Sequence, residues 1–129
     1  MPVAHIDGLT DLGRPSRELL ALDVTESGQG EIVFVRVTGE IDVSTASSLM
    51  ACLDPFLHGG RPVILDFEKV SFMDAAGIGV FVAAHRLAER SATTVTLRLP
   101  IRSVVRLLAI TNLLDIIAVE TADPLWEPE

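Results

Sequence analysis

The hydrophobic pattern of this chain switches repeatedly between the period of a β-strand and that of an α-helix. Residues 19–25 and 31–38 alternate apolar with polar positions or carry β-branched side chains, which is typical of strands. A glycine-containing turn joins them, so the pattern predicts an antiparallel hairpin. Short apolar runs at 63–67, 94–99 and 116–119 predict three further strands.

Helices are predicted between these strands, at 44–57, 75–90 and 101–110, where apolar residues recur at helical spacing. In the first of them, Pro55 lacks an amide proton and its ring clashes with the preceding turn. We therefore expect this helix to kink or end near Asp54.

The order of elements after residue 30 is strand, helix, strand, helix, strand, helix, strand. This order predicts an α/β layer of parallel strands with right-handed crossovers, and the initial hairpin makes the sheet mixed. We expect one domain at 19–120, with a mixed, mostly parallel sheet of four to five strands and helices packed on it. Residues 1–18 are expected to form a flexible leader, and residues 121–129 an acidic tail.

The segment between the strand at 63–67 and the second helix holds the most informative residues. Residues 68–71 are polar and are predicted to be a connection, after which Phe72 and Met73 return to the core. Asp74 is expected to be the N-cap of the second helix, because a short carboxylate can accept the free amide protons of the first turn.

Two glycines, Gly77 and Gly79, lie in the first turns of that helix, where each weakens it by about 1 kcal/mol relative to alanine. Glycine occurs in a helix despite this loss of stability where the helix backbone must lie close to a strand beneath it or to a partner protein above it. A phosphate-binding turn is not favoured, because neither GxGxxG nor GxxxxGK[ST] is present.

Composition and charge narrow the classes of function. The net charge is −8, which repels the phosphates of nucleic acids and of anionic membranes. No apolar run approaches the ~20 residues of a membrane helix, and no secretory signal is evident, so we expect a cytoplasmic protein without membrane insertion. The single cysteine, Cys52, is interpreted as a small buried hydrophobe.

No catalytic constellation is visible in the sequence. No serine lies in a nucleophile-elbow motif, and the carboxylates are scattered, with no pair spaced as in a metal site or a glycosidase. His85 has no second histidine or cysteine near it in sequence and is interpreted as a surface or partly packed residue. We expect a protein that is not an enzyme and that needs neither a cofactor nor a metal.

Three motifs in this chain resemble those of the STAS domain, the fold of the bacterial anti-sigma factor antagonists. The first is the strand at 63–67 followed by a turn that the family writes F-[MLI]-D-[ST]-[ST]-G-[LI]-[GA]. The second is G-E-[LI]-D ahead of the first helix. The third is the end of the last helix, where Asn112 replaces the usual glycine. The matching residues are Phe72, Met73, Asp74, Gly77, Ile78 and Gly79; Gly39, Glu40, Ile41, Asp42, Thr45 and Ala46; and Val104, Arg106, Leu107, Leu108, Ile110, Thr111 and Leu113.

One departure from the family pattern changes the expected regulation. The family's serine or threonine pair is Ala75 and Ala76 here. The resemblance implies that the second position of this pair is the one that a partner kinase phosphorylates in regulated members. Ala76 has no hydroxyl, so no phosphorylation is expected at this position.

The resemblance implies an anti-sigma factor antagonist that binds an anti-sigma factor with a serine-kinase type ATPase fold and so frees a sigma factor. Asp42 would be a neighbour of Asp74 on the kinase-facing surface, although Asp42 could equally be only a turn residue or helix cap. The residues expected at the partner contact are Asp42, Thr45, Met73, Asp74, Ala75, Ala76, Gly77, Ile78 and Gly79.

Two other functions fit the same sequence. The paired alanines are compatible with a non-switching STAS scaffold, which would assemble with other STAS proteins or with itself in a signalling or lipid-transport complex. A small-molecule sensor that binds a nucleotide or lipid at the Asp74 turn is the third hypothesis.

Overall fold

A six-stranded sheet with three helices makes up the described part of the chain, which in this computed structural model is residues 4–7, 20–27 and 29–120. The strands are β1 (Ala4–Asp7), β2 (Ala21–Glu26), β3 (Val33–Ile41), β4 (Val63–Met73), β5 (Val95–Arg98) and β6 (Ala118–Glu120). The helices are α1 (Ala46–His58), α2 (Ala75–Arg90) and α3 (Arg102–Ile110), and a 3-10 turn follows at Leu113–Asp115.

The strands lie in the sheet in their chain order. β2 pairs antiparallel with β1 and β3, whereas β3, β4, β5 and β6 run parallel. The predicted α/β fold with a mixed, mostly parallel sheet is therefore confirmed. The sheet has one strand more than expected because β1 comes from the segment predicted as a leader. The rest of that segment and the tail at 121–129 lie outside the described residues.

All three helices lie on one face of the sheet. The parallel strands follow one another in a single direction across the sheet, so right-handed crossovers carry every helix to the same side. Strand residues facing the helices are fully buried, and Phe67 packs there against Phe81 of α2 with ring centroids 5.6 Å apart. The opposite face, which we call the outer face, carries no helix of the described chain.

β4 is longer than its sequence predicted because it contains bulges. Residues 68–71, expected to be a connection, remain in the strand: between the pairs Arg36–Asp66 and Ile41–Met73 the register shifts twice, and each shift adds one residue to β4. On β3, the strand paired with this part of β4, Gly39 has a φ of 116°, which glycine adopts more readily than other residues. Because of the bulges, Phe72 is exposed to solvent, although the sequence predicted it in the core. Of the pair Phe72 and Met73, only Met73 is buried.

Helix α1 does not end near Asp54, because Pro55 lies inside it and the helix continues to His58. Its end carries a glycine signal. Gly60 is left-handed with a φ of 77°, its N–H donates to the carbonyl of Leu57, and the next N–H donates to that of Phe56. These two bonds are the Schellman pattern that satisfies the last carbonyls of a helix.

Membrane insertion was not expected from the sequence, and among the described residues no helix has both the length and the apolar character to cross a bilayer.

Candidate functional site

The carboxyl ends of β3 and β4 meet at one edge of the sheet. Ile41 pairs with Met73, and the N–H of Asp74 donates to the carbonyl oxygen of Ile41 at 3.2 Å. Asp42 and Asp74 each follow one member of this pair, so both carboxylates lie at the same edge. The loop at 42–45 leads from there into α1, and Asp74 leads directly into α2.

Asp74 is the N-cap of α2, as its position in the sequence predicted. Its Oδ1 accepts the N–H of Ala76 at 2.8 Å, and its backbone is extended, as an N-cap requires. The carboxylate also lies where the positive end of the helix dipole stabilises a negative charge. The side chain remains half-exposed, so one carboxylate can serve the helix and still face a partner.

Asp42 closes a small turn ahead of α1. Its Oδ1 accepts the N–H of Ser44 at 2.9 Å and the hydroxyl of Ser44 at 2.7 Å. The hydrogen bond from the Ser44 hydroxyl is the main cause that holds the pKa of Asp42 below its ordinary value. Asp42 is thus a turn residue, and the N-cap of α1 is Thr45. Because Asp42 is half-exposed, its carboxylate can stabilise the turn and still be reached by a second protein.

Thr45 is buried, with 1% of its surface exposed. Its hydroxyl donates to the carbonyl of Glu40 at 2.8 Å and accepts the N–H of Asp42 at 2.9 Å. Since the hydroxyl satisfies two backbone groups of the loop, Thr45 positions Asp42 rather than meeting a partner itself. The sequence analysis expected Thr45 at the partner contact, but its burial does not permit a direct contact.

The two glycines of α2 have opposite environments. A Cβ on Gly77 would lie 2.3 Å from Cγ of Met73 and 3.2 Å from Cγ2 of Ile41, so the absence of a side chain lets the helix start pack onto the strand ends. A Cβ on Gly79 would meet no heavy atom within 4 Å. The fold therefore requires Gly77 but has no steric need for Gly79, which weakens α2 on an exposed surface.

Exposure divides the remaining predicted residues of the turn. Ala75 and Gly79 are exposed, whereas Ala76 and Ile78 are half-buried and Met73 is buried. Of the two alanines, Ala75 presents its side chain more openly to a second protein, although the resemblance pointed to Ala76. The conclusion drawn from the missing hydroxyl is unchanged, because both positions are alanine.

Two exposed hydrophobic residues that the sequence did not assign to the partner contact lie near this turn. Val43, 85% exposed, lies in the loop after β3, and Phe72, 46% exposed, lies opposite Glu40 in the β3–β4 pairing. The exposure of Val43 could have been predicted from the sequence, because this valine lies in a polar turn. The exposure of Phe72 depends on the bulges in β4, which the alternation of residues did not reveal.

Acidic side chains and small or apolar residues make up this edge. Within the described residues, no group of three or more histidine, cysteine or carboxylate side chains is placed to hold a metal ion. The polar groups are the half-exposed Asp42 and Asp74 and the exposed Glu40, which make the edge acidic. Between them lies the small, flat start of α2, with Val43 and Phe72 beside it.

Comparison with known proteins gives a consistent result. The STAS domain family model matches residues 24–125. The anti-sigma-B factor antagonist of Bacillus subtilis is 35% identical over 83 residues, which cover 64% of this chain and 76% of that protein. The anti-sigma-B factor antagonist of Listeria monocytogenes is 37% identical over 89 residues, which cover 67% and 77%. Among solved structures, the unphosphorylated form of the anti-sigma factor antagonist SpoIIAA superposes with a TM-score of 0.66 at 24% identity, covering 78% of this chain and 89% of that one.

Proposed function

Because the chain belongs to the STAS domain family, we propose that it is an anti-sigma factor antagonist that binds an anti-sigma factor and so releases a sigma factor. The relatives that carry this name support the general role. The observation in this chain that carries the proposal is Gly79, a glycine on the exposed side of the first turns of α2 that the fold does not need there.

The partner would approach the backbone of α2 closely at Gly79. The neighbouring Ala75 is equally small, so the helix start can lie flat against a second protein. Val43 and Phe72, in the loop after β3 and near the end of β4, are apolar groups exposed to water, and a partner that buries them would gain hydrophobic binding energy. Asp42 and Asp74 would form the polar rim, where charges set orientation and association rate more than affinity.

The partner we infer is an anti-sigma factor with a serine-kinase type ATPase fold, the class that the family resemblance implies. Its surface would be apolar opposite Phe72 and basic opposite the two carboxylates. The protein would act by binding rather than by catalysis, with no cofactor, and in the cytoplasm, where sigma factors work. The partner class, the binding role and the location are inferred from the family, and the binding experiment below tests the partner class directly.

We propose further that the usual phosphorylation switch is missing. A phosphate at this turn would add about −1.5 to −2 charges beside Asp42 and Asp74, and repulsion and desolvation would oppose docking. Neither Ala75 nor Ala76 can accept a phosphate. The antagonist would then either be competent to bind at all times, or be controlled by its amount or by a different modification.

The nearest hydroxyl groups are poor substitutes for the missing serine. The hydroxyl of Ser71 donates to the carbonyl of Gly39 at 3.3 Å, and the hydroxyl of Ser44 donates to Asp42. Phosphorylation of either would first break a hydrogen bond that holds the β3 end of the site.

The first experiment titrates the purified protein into a kinase-type anti-sigma factor from the same genome by isothermal calorimetry. Gly79→Ala should weaken binding at least tenfold while leaving the fold intact, and Phe72→Ala should do the same. Ile110→Ala is the matched control for Phe72, because Ile110 is also an exposed hydrophobic residue, 72% exposed, but lies at the end of α3. Equal binding by all variants would rule out this contact surface.

A second experiment tests the switch. With the same kinase and ATP, the wild type should take up no phosphate at the α2 turn, while Ala75→Ser or Ala76→Ser should restore uptake and lower affinity. Mass spectrometry of the tryptic peptides locates the modified residue. Phosphate found on Ser71 or Ser44 of the wild type would contradict an unregulated antagonist. Absence of any interaction with such kinases, together with a stable complex with another STAS protein, would favour the scaffold function instead.

A further inference from the structure

Among the described residues, no helix covers the outer face of the sheet, which is unusual for parallel strands. The strands β3 to β6 are parallel, and parallel sheets are nearly always covered on both faces. Here the three helices occupy one face, and Phe34 and Ile64 lie half-buried on the other. A shallow cleft of ≈ 350 Å³ lies there, lined by Phe34, Thr25, Asp23, Arg36, Asp66 and Arg98.

A row of alternating charges crosses this outer face. Residues in register on five neighbouring strands are, in order, Asp23, Arg36, Asp66, Arg98 and Glu120. Nη2 of Arg36 lies 3.4 Å from Oδ2 of Asp66, and Nε of Arg98 lies 4.0 Å from Oε1 of Glu120. The two arginines remain about half exposed, at 52% and 47%, so their guanidinium groups retain donors for a second molecule.

A second row, two residues away along each strand, is apolar or weakly polar. Phe34 pairs with Ile64 at its centre, and Thr25 and Thr96 lie on either side. The outer face thus presents one charged row and one largely apolar row, both running across the strands.

We propose that the outer face is the interface of a symmetric dimer of this chain. The argument is charge complementarity under a twofold axis parallel to the strands and placed between β3 and β4. Such an axis places β3 of one copy over β4 of the other, and β2 over β5. Arg36 then faces Asp66 of the second copy, and Asp23 faces its Arg98. In the second row, Phe34 faces Ile64.

The alternating signs also exclude the neighbouring arrangements. An axis along β4 itself places Asp66 over Asp66 and Arg36 over Arg98, and like charges face to face oppose association. A shift by one strand position therefore separates an attractive from a repulsive arrangement, as in other isologous contacts where one surface meets its own copy. Two sheets packed in this way lie ≈ 10 Å apart with their strands roughly aligned.

The expected dimer is weak. Five strands at ≈ 4.8 Å spacing give a face about 20 Å across, which is small for a specific interface. The net charge of −8 on each copy adds long-range repulsion, which salt screens. We expect a dissociation constant in the micromolar range. The Asp74 turn lies at the edge of the sheet rather than on this face, so the inference does not depend on the proposed function.

The experiment is analytical ultracentrifugation over an about hundredfold range of concentration, since mass action populates a weak dimer at the upper end. Arg36→Glu alone and Asp66→Arg alone should each lower dimer affinity at least tenfold, because each makes both central contacts like-charged. An equimolar mixture of the two variants should form a heterodimer, because every central contact is again between opposite charges. The double variant Arg36→Glu/Asp66→Arg should also dimerise.

Arg86→Glu is the matched control, since it makes the same change of charge at an exposed position of α2 and should leave the dimer intact. Recovery in the mixture shows that the single variants are folded. A wild type that stays monomeric at every concentration would overturn the proposal, as would a dimer unaffected by Arg36→Glu or a mixture that does not associate. Gly79→Ala should not change the dimer, so failure here is distinct from failure of the anti-sigma factor contact.

Discussion

At the scale of single residues, Gly77 and Gly79 make opposite predictions although they are two positions apart. Gly79→Ala should raise the free energy of unfolding by about 0.5–1 kcal/mol, because it restores helix propensity where nothing obstructs the new methyl group. Gly77→Ala should lower it by about 1–3 kcal/mol, because its Cβ would overlap the buried side chain of Met73. Urea unfolding measures both.

The double variant Gly77→Ala/Met73→Ala tests the cause of the second effect. Adding Gly77→Ala to a Met73→Ala background should be far less harmful than adding it to the wild type, since the overlapping atoms are gone. If the two backgrounds lose the same amount, the packing of the α2 start onto Met73 is not what requires the glycine.

Cys52 gives a prediction about pH. Burial raises the pKa of this thiol from 9.0 to about 11, so the folded protein retains a proton that the unfolded chain releases. The stabilisation is complete below pH 9.0 and is lost as the pH rises toward 11. Relative to Cys52→Ala, the wild type should lose about 1 kcal/mol between pH 8 and pH 10. The chain has no tyrosine and only one lysine, so few other groups titrate in this window.

The measurement is urea unfolding of both proteins at several pH values from 8 to 10.5. A constant difference in stability across that range would mean that the folded state does not hold the thiol neutral. As an independent check, Cys52 of the native protein should react slowly with a thiol reagent at pH 8 and rapidly in denaturant.

At the scale of elements, the N-cap of α2 links stability to the candidate site. Asp74→Ala removes the acceptor of the Ala76 N–H and should lower the free energy of unfolding by about 1 kcal/mol. Asp74→Asn keeps an acceptor and removes the charge, so it should lose less stability but as much of any charge-dependent partner binding. Thermal unfolding separates the two variants, and equal loss by both would show that the charge rather than the hydrogen bond stabilises the helix.

The elements that sequence predicted correctly are those governed by local rules. The N-cap at Asp74 follows from the chemistry of a single residue. Two of the errors have non-local causes. Helix α1 tolerates Pro55 because its apolar side packs on the sheet, and β4 absorbs residues 68–71 because β3 offers a partner beyond the bulges.

At the scale of the whole molecule, topology decided which predicted site residues meet. Asp42 and Asp74 are far apart in sequence, and parallel pairing of β3 with β4 brings them to one edge. Burial could not be inferred in the same way: Thr45 and Gly77 match the family pattern but lie inside, whereas Phe72 and Val43 lie outside. The charged row of the outer face depends on the register of five strands, which hydrophobic periodicity does not specify.

Arg61 joins two parts of the molecule that are distant in sequence. Its Nη2 lies 2.5 Å from Oε1 of Glu26 and also donates to the carbonyl of Gly30, so it ties the β2–β3 turn to the start of β4. The guanidinium also lies over the ring of Phe56, 5.6 Å from its centre. The side chain is 28% exposed, so salt should screen this pairing less than it screens a surface ion pair.

Arg61→Lys should therefore lower the free energy of unfolding by about 1 kcal/mol, because an ammonium group cannot lie flat over the Phe56 ring as the planar guanidinium does. Arg61→Ala should lose about 2 kcal/mol, since the packing over Phe56 is lost as well. The charge alone would predict that lysine replaces arginine without loss. Urea unfolding at low and high salt distinguishes the two, because a loss that persists in high salt comes from geometry and packing rather than from long-range attraction.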